Sequence, residues 1–335
     1  MNNPVLVEVT RGALVESRHR GAVAVVDTEG TAVLTIGDVD EPVFPRSAVK
    51  AIQALPLVAS GAADAMGLTD AELALACASH SGEPAHVETA AAMLAKAGRD
   101  VGTLECGCHW PLDQKVARAL AEAGGQPSAL HNNCSGKHAG FVCLACASKV
   151  DPAGYVGPDH PVMEEVRAAL EEVTGATHTA DRRGTDGCAI PTYAVPLTAL
   201  AYGFAKLGTG MHLSDAYAAA AARIRKAVAA NPFMVAGTGR FDTRVMECLG
   251  PRVFLKTGAE GVYCAAFPEL GLGAALKCDD GATRAAEAMM AAIIRRFLDL
   301  DDKERTLADS VAAAAIKNWN GTLVGEIRAV GPLSG

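Results

Sequence analysis

A serine three residues ahead of a lysine, Ser47-Ala48-Val49-Lys50, is the first pairing in this chain suited to attack on a carbonyl group. At the start of a helix the i,i+3 spacing puts hydroxyl and amine on one face, within reach of each other, so Lys50 is placed to take the proton of Ser47. The bland reading of the same residues is an N-cap serine followed by a solvated lysine. Context favours the chemistry. Lys256-Thr257-Gly258 lies on an expected strand far downstream, and the turn Ser79-His80-Ser81 falls between the two motifs. A serine hydroxyl is a poor nucleophile until a neighbour removes its proton, and a lysine with the ordinary pKa of about 10.4 does not do so at neutral pH. Two lysines in one dry cleft disfavour each other's charge and lower that value. Ser47 with Lys50, and Ser79 with Lys256, make two such pairs.

The second constellation is His131-Asn132-Asn133-Cys134-Ser135-Gly136-Lys137-His138, together with Asp186-Gly187-Cys188-Ala189. Cysteine thiolates suit zinc, and a reducing compartment leaves them free to bind it. Two cysteines do not complete a site; Lys137, His138 and Asp186 are the candidates for the remaining positions. Cys106-Gly107-Cys108-His109 reads less well as a site, because alternate residues on a strand or turn point apart. Cys143 and Cys146 fall in an apolar helical stretch and read as structural thiols. Glu16, His19 and Arg46 are polar groups near the first motif; Arg46 is suited to clamping a carboxylate or to an ordinary surface ion pair.

These residues need a frame. Val5 to Thr10, Ala22 to Asp27 and Ala32 to Ile36 read as strands, with Asp27-Thr28-Glu29-Gly30 as a turn. Apolar spacing from Ser47 to Ala59 predicts a helix kinked or restarted at Pro56, and Thr69 with Glu72 makes a capping box for a helix running to Cys77. Helical periodicity continues over Ala85 to Lys96, Leu112 to Ala123, His138 to Ser148, Pro161 to Val173, Pro191 to Leu207 and Ser214 to Ala230. Strand character returns at Val253 to Thr257, Gly261 to Phe267 and Gly273 to Cys278, followed by a helix over Ala282 to Leu298. The expected fold is therefore α/β (α+β): one catalytic unit, 1–335, with a mixed or antiparallel sheet built from both chain ends. Roughly 1–45 and 250–335 would form the sheet lobe and 46–249 the helical lobe inserted into it, with a cleft where they meet.

Half of the 335 residues are hydrophobic, 4% are aromatic and a fifth are charged, the profile of a well-packed globular protein. A net charge of −8, with no dense run of lysine and arginine, argues against nucleic acid and anionic membrane partners. The N-terminus has no secretory pattern and no apolar run reaches membrane-spanning length, so the ten cysteines are expected to be reduced and the protein cytoplasmic.

The order Ser-x-x-Lys, polar triplet, Lys-Thr-Gly resembles that of penicillin-recognising serine hydrolases. Longer strings are more specific. Leu14 to Gly21, Pro45 to Lys50, Ala78 to Glu83, Leu130 to Gly140, Asp186 to Cys188, Met234 to Gly237, Arg240 to Thr243 and Lys256 to Gly261 together resemble the rhizobial-type L-asparaginases, the asparaginase II family. That resemblance implies a fold like that of serine β-lactamases and glutaminases, a homodimer, and hydrolysis of L-asparagine to aspartate and ammonia; glutaminase or another serine amidohydrolase activity on the same fold is the alternative. It implies Ser47 as nucleophile with Lys50, and Ser79 with Lys256 beside them. It also implies zinc held by Cys134, Lys137 and Cys188 with water in the open position and Asp186, His138 and Cys248 around it. Arg46, His80 and Glu16 join Asp186, His138 and Cys248 as expected substrate-binding residues. Ser79-His80-Ser81 departs from the Ser-Asp-Asn of β-lactamases, and no counterpart of their deacylating glutamate is evident, so penicillin hydrolysis is not expected.

Overall fold

The strands at the two ends of the chain pair with one another. A computed structural model describes residues 3–334. Ten strands occur in it: β1 (Val5–Arg11), β2 (Leu14–Asp27), β3 (Ala32–Ile36), β4 (Arg183–Thr185), β5 (Pro191–Tyr193), β6 (Phe254–Thr257), β7 (Val262–Phe267), β8 (Leu272–Cys278), β9 (Ala313–Lys317) and β10 (Leu323–Ala329). Eight of them form one sheet in the order β6-β7-β8-β2-β1-β10-β9, with β3 also on β2, and every pairing is antiparallel. The expected α/β class and the joining of both chain ends in one sheet are thus observed, and no parallel pair occurs among the described residues.

The fourteen residues of β2 do two jobs. Its first half alternates exposed residues with half-buried ones and the buried His19, and pairs with β1; its second half, Ala22 to Val26, is buried throughout and pairs with β8 and β3. A continuous apolar run of this kind requires cover on both faces. The helix Leu197–Thr209 covers one and the helix Thr283–Phe297 the other. Gly273 on β8 admits the first so closely that a Cβ there would lie 2.0 Å from the Ala201 carbonyl oxygen. Gly21 faces the opposite helix, where its Cβ would meet Met289 at 3.2 Å.

Several boundaries differ from those the sequence predicts. The polar stretch Leu14 to Arg20 is strand because β1 supplies its hydrogen bonds. The helix expected from Pro191 starts at Leu197, since Pro191 and Tyr193 belong to β5 and Pro196 forms the N-cap. The helix Asp302–Ala312, capped by Asp301 and Glu304, and the β9–β10 hairpin were not anticipated. The Thr69–Glu72 capping box is present and opens the helix Asp70–Ala76.

Candidate active site

Ser47 lies in a short 3-10 turn, Arg46–Val49, followed by the helical segments Lys50–Gln53 and Leu55–Ala59. The turn packs on β6 and β7. Gly258, the glycine of Lys-Thr-Gly, makes that packing possible: a Cβ at 258 would stand 2.6 Å from the Pro45 carbonyl oxygen. Arg46 adopts a left-handed φ of 52°, an uncommon conformation for a side-chain-bearing residue.

From this turn Lys50 reaches inward. Fully buried, it donates to the Ala78 carbonyl at 2.6 Å and to Ser79 Oγ at 3.0 Å. Lys256, fully buried on β6, donates to the same Ser79 Oγ at 2.9 Å and to the Thr257 carbonyl at 2.8 Å. Ser79 follows the helix Asp70–Ala76 and is held by its own N–H to the Val235 carbonyl, 2.8 Å. Both amines therefore converge on one hydroxyl. Burial pushes the Lys256 amine down to about 7; Asp242 opposes this, and the charges of Lys50 and Arg240 add to it. Ser47 is half-buried, and its hydroxyl makes no hydrogen bond among the described residues. The direct Ser47–Lys50 bond suggested by i,i+3 spacing is not formed, because the lysine stem turns away from the short turn toward Ser79.

The second constellation assembles beside the first. Cys134 sits at the N-cap of the helix Ser135–Ala147, Lys137 lies in that helix's first turn, and Cys188 comes from the turn between β4 and β5. All three are at most 5% exposed. Lys137 Nζ donates to Cys188 Sγ at 3.1 Å and Cys134 Sγ donates to Asn133 Oδ1 at 3.3 Å. The neighbouring Cys188, with the Lys50 and Lys137 charges, holds Cys134 well below an ordinary thiol against the effect of burial. Burial alone would lower Lys137; Cys188, Cys134 and Asp186 outweigh it and hold that amine above its ordinary value. Two soft sulfurs and an amine thus meet in a buried pocket; the sulfurs suit zinc, and the amine joins such a donor set only after losing its proton, which the charge of a bound ion would have to bring about.

An ion pair joins the two constellations. Arg46 Nε donates to Asp186 Oδ1 at 2.6 Å, and the Gly187 N–H donates to the same oxygen at 2.7 Å. Burial would raise the Asp186 carboxyl, but Lys137 and Arg46 more than reverse this and keep it ionised. His138 is fully buried and held neutral, chiefly by burial and then by the Lys137 charge. Its Nδ1 lies 2.7 Å from the Tyr155 hydroxyl, which also accepts the Glu105 N–H, and its Nε2 has no protein partner.

Of the residues expected to bind substrate, His80 stands at the site with its ring already engaged, and Glu16 and Cys248 have other neighbours. His80 uses both ring nitrogens within the protein: Nδ1 accepts the Gly82 N–H at 3.1 Å and Nε2 meets Ser135 Oγ at 2.9 Å, leaving nothing for a substrate. Glu16 is exposed at the β1–β2 end and pairs with Arg11 at 3.0 Å, three strands away from β6 in sheet order. Cys248 lies on the helix Phe241–Leu249 and lines a hollow with Arg244, Lys303 and Leu307. His19 is likewise engaged, 2.6 Å from Asp280.

Other groups carry the site without having been singled out. Asn132 donates to the Cys106 carbonyl and accepts the Cys134 N–H, fixing the start of the thiol-bearing helix. Asp242, 1% exposed, accepts the Thr257 N–H at 2.9 Å and the Tyr263 hydroxyl. A tyrosine in the otherwise apolar strand Val262–Phe267 was the available signal, since a buried phenol needs a partner.

No curated protein matches the sequence. Solved structures that align with it include a β-lactamase from Mycobacterium bovis, 16% identical over 87% of this chain and 93% of that one, with a TM-score of 0.38. A D-alanine carboxypeptidase from Burkholderia cenocepacia is 12% identical over 87% and 92%, TM-score 0.38. Simvastatin synthase from Aspergillus terreus is 12% identical over 77% and 86%, TM-score 0.38. These are distant similarities. The family model described as L-asparaginase II, by contrast, matches residues 7–329, which takes in both lysines, both serines and all three thiol-site residues, and the chain belongs to that family.

Proposed function

We propose that the protein is an L-asparaginase that hydrolyses L-asparagine to L-aspartate and ammonia through a serine acyl-enzyme. The observation that carries this reading is Ser79 Oγ held between two buried lysine amines at 3.0 and 2.9 Å, one of them with its pKa brought down to about 7. A buried amine near neutrality is a competent general base at physiological pH.

Ser47 is the nucleophile, because it is the more accessible of the two serines. Its hydroxyl attacks the side-chain amide carbon, and its proton passes to Ser79, which hands its own proton to Lys256 or Lys50. The Ser47 N–H, at the start of a 3-10 turn where amides lack partners within the turn, serves the oxyanion. Collapse breaks the C–N bond; the lysine returns the proton and ammonia leaves. Water then attacks the aspartyl ester by the same relay, releasing aspartate and free Ser47. Arg46 and Asp186, adjacent to the turn and oppositely charged, are suited to the α-carboxylate and α-ammonium groups of the substrate. Zinc, held by Cys134, Lys137 and Cys188, would supply a fixed positive charge and an ordered pocket wall. The family resemblance carries a homodimer with it, which light scattering on the purified chain would test.

The convergence of both lysines on Ser79 also favours a second reading, in which Ser79 is itself acylated. Ser47→Ala separates the two: under the first reading ammonia release falls by about a thousandfold or more, and acid-quenched wild-type enzyme carries the aspartyl ester on the peptide containing Ser47. Near-normal turnover by Ser47→Ala, or an ester mapped to Ser79, establishes the second. Parallel assays with glutamine decide between asparaginase and glutaminase.

A further inference from the structure

The buried carboxylate behind β6 has no part in the relay just described, yet it is wired to it. Asp242 Oδ1 accepts the Thr257 N–H at 2.9 Å, the carbonyl of that same residue accepts from Lys256 Nζ at 2.8 Å, and Lys256 Nζ donates to Ser79 Oγ at 2.9 Å. The other carboxylate oxygen accepts the Tyr263 hydroxyl from β7, so the group is clamped from two strands. An ionised carboxylate with two good donors and 1% exposure holds its charge in place and projects it through a medium of low dielectric.

We propose that Asp242 is a positioning residue of the reaction: it anchors the backbone of Thr257, whose carbonyl accepts from Lys256, and its fixed negative charge is the electrostatic counterpart of that buried amine. The inference depends on the reading of Lys256 as a base. Its charge is felt on both sides. Asp242 opposes the depression of the Lys256 amine, and together with burial it pushes Glu287, on the helix Thr283–Phe297, up to about 7. The other groups facing Lys256 are Lys50 from the segment after the Ser47 turn, Arg240 ahead of the helix Phe241–Leu249, Cys77 at the end of the helix Asp70–Ala76, Cys264 on β7 and Cys134. Among these the carboxylate of Asp242 makes the largest contribution favouring the ammonium form.

Asp242→Asn tests this with little change of shape, since the amide oxygen still accepts from Thr257 and the amide nitrogen faces the Tyr263 oxygen. Removing the negative charge makes Lys256 easier to deprotonate, so the acidic limb of kcat/KM should move to lower pH by about one unit. Altered orientation should lower kcat by about tenfold or more while KM changes by less than about twofold. A buttress without electrostatic effect would alter kcat without moving the limb. Should Asp242→Asn not fold, Tyr263→Phe serves: the carboxylate loses a donor, Lys256 sees a stronger negative potential, and the limb should move to higher pH. An active wild type whose limb stays unmoved in the variant that folds overturns this inference alone. A wild type that releases ammonia from neither asparagine nor glutamine overturns the amidase reading and this inference with it.

Discussion

Lys256 is the base of the proposed mechanism, and its environment dictates a pH dependence. Burial depresses its pKa to about 7, so the amine is neutral above that value and protonated below it. The rate at low substrate concentration is therefore expected to rise through an acidic limb near pH 7, and a kcat/KM profile flat from pH 5 to 8 would remove Lys256 from the role of base. The same depression bears on stability. The unfolded chain binds a proton here that the folded chain does not between about pH 7 and about 10.4, so this residue's contribution improves as pH rises through that window. Lys256→Met should abolish turnover yet raise the melting temperature, by a margin that narrows from pH 7 to pH 9 in parallel thermal scans. The thiol site argues similarly from its donors. If its metal orders the pocket, thorough chelation raises KM more than it lowers kcat; full loss of kcat in a still-folded chain would assign the metal a part in the chemical step.

Among the elements, the 3-10 turn Arg46–Val49 and β6 matter most, because their mutual distance sets where Ser47 stands relative to Lys256. Gly258 governs that distance. A methyl group there would sit 2.6 Å from the Pro45 carbonyl oxygen, so Gly258→Ala must push the turn outward. Displacement of a nucleophile by about an ångström costs on the order of a hundredfold in rate, which is the expected fall in kcat/KM, accompanied by a stability loss of about 1–3 kcal/mol. Wild-type kinetics in Gly258→Ala would show that the turn is not the rate-setting element. The β4–β5 ribbon does comparable work for the thiol site: its three-residue strands frame the turn that brings Asp186 to Arg46 and Cys188 to Lys137.

Across the whole molecule, the sheet is held shut by pairing residues more than three hundred positions apart. Val7 lies opposite Ala329 and Glu8 opposite Arg328, with an ion pair of 3.1 Å between the latter two. Without β9 and β10, β1 would become an edge strand with Val7 and Val9 poorly covered, a surface prone to intermolecular pairing. Truncation after Ala312 is expected to lower soluble yield and thermal stability sharply, as solubility and calorimetry would show, although none of the proposed catalytic residues is removed. Among the described residues no helix is long and apolar enough to cross a membrane.

Periodicity and punctuation were enough to locate most helices, the strands Ala32 to Ile36, Val253 to Thr257, Gly261 to Phe267 and Gly273 to Cys278, and the capping box at Thr69, because these signals are local: apolar spacing, caps and turns act within a few residues. Ser47, Lys50, Ser79 and Lys256 were likewise legible by motif and Cys134 and Cys188 by type, whereas the choice of Lys137 over His138 and Asp186 came from the family resemblance. Partnership was not. That Lys50 bonds Ser79 rather than Ser47, that Asp242 sits behind Thr257, that Cys248 faces a different hollow, and that both nitrogens of His80 are already engaged depend on elements dozens to hundreds of residues apart meeting at fixed distances. Local propensity carries no information about such distances. They arise when the long-range sheet closes and the buried donors and acceptors find one another in the absence of water.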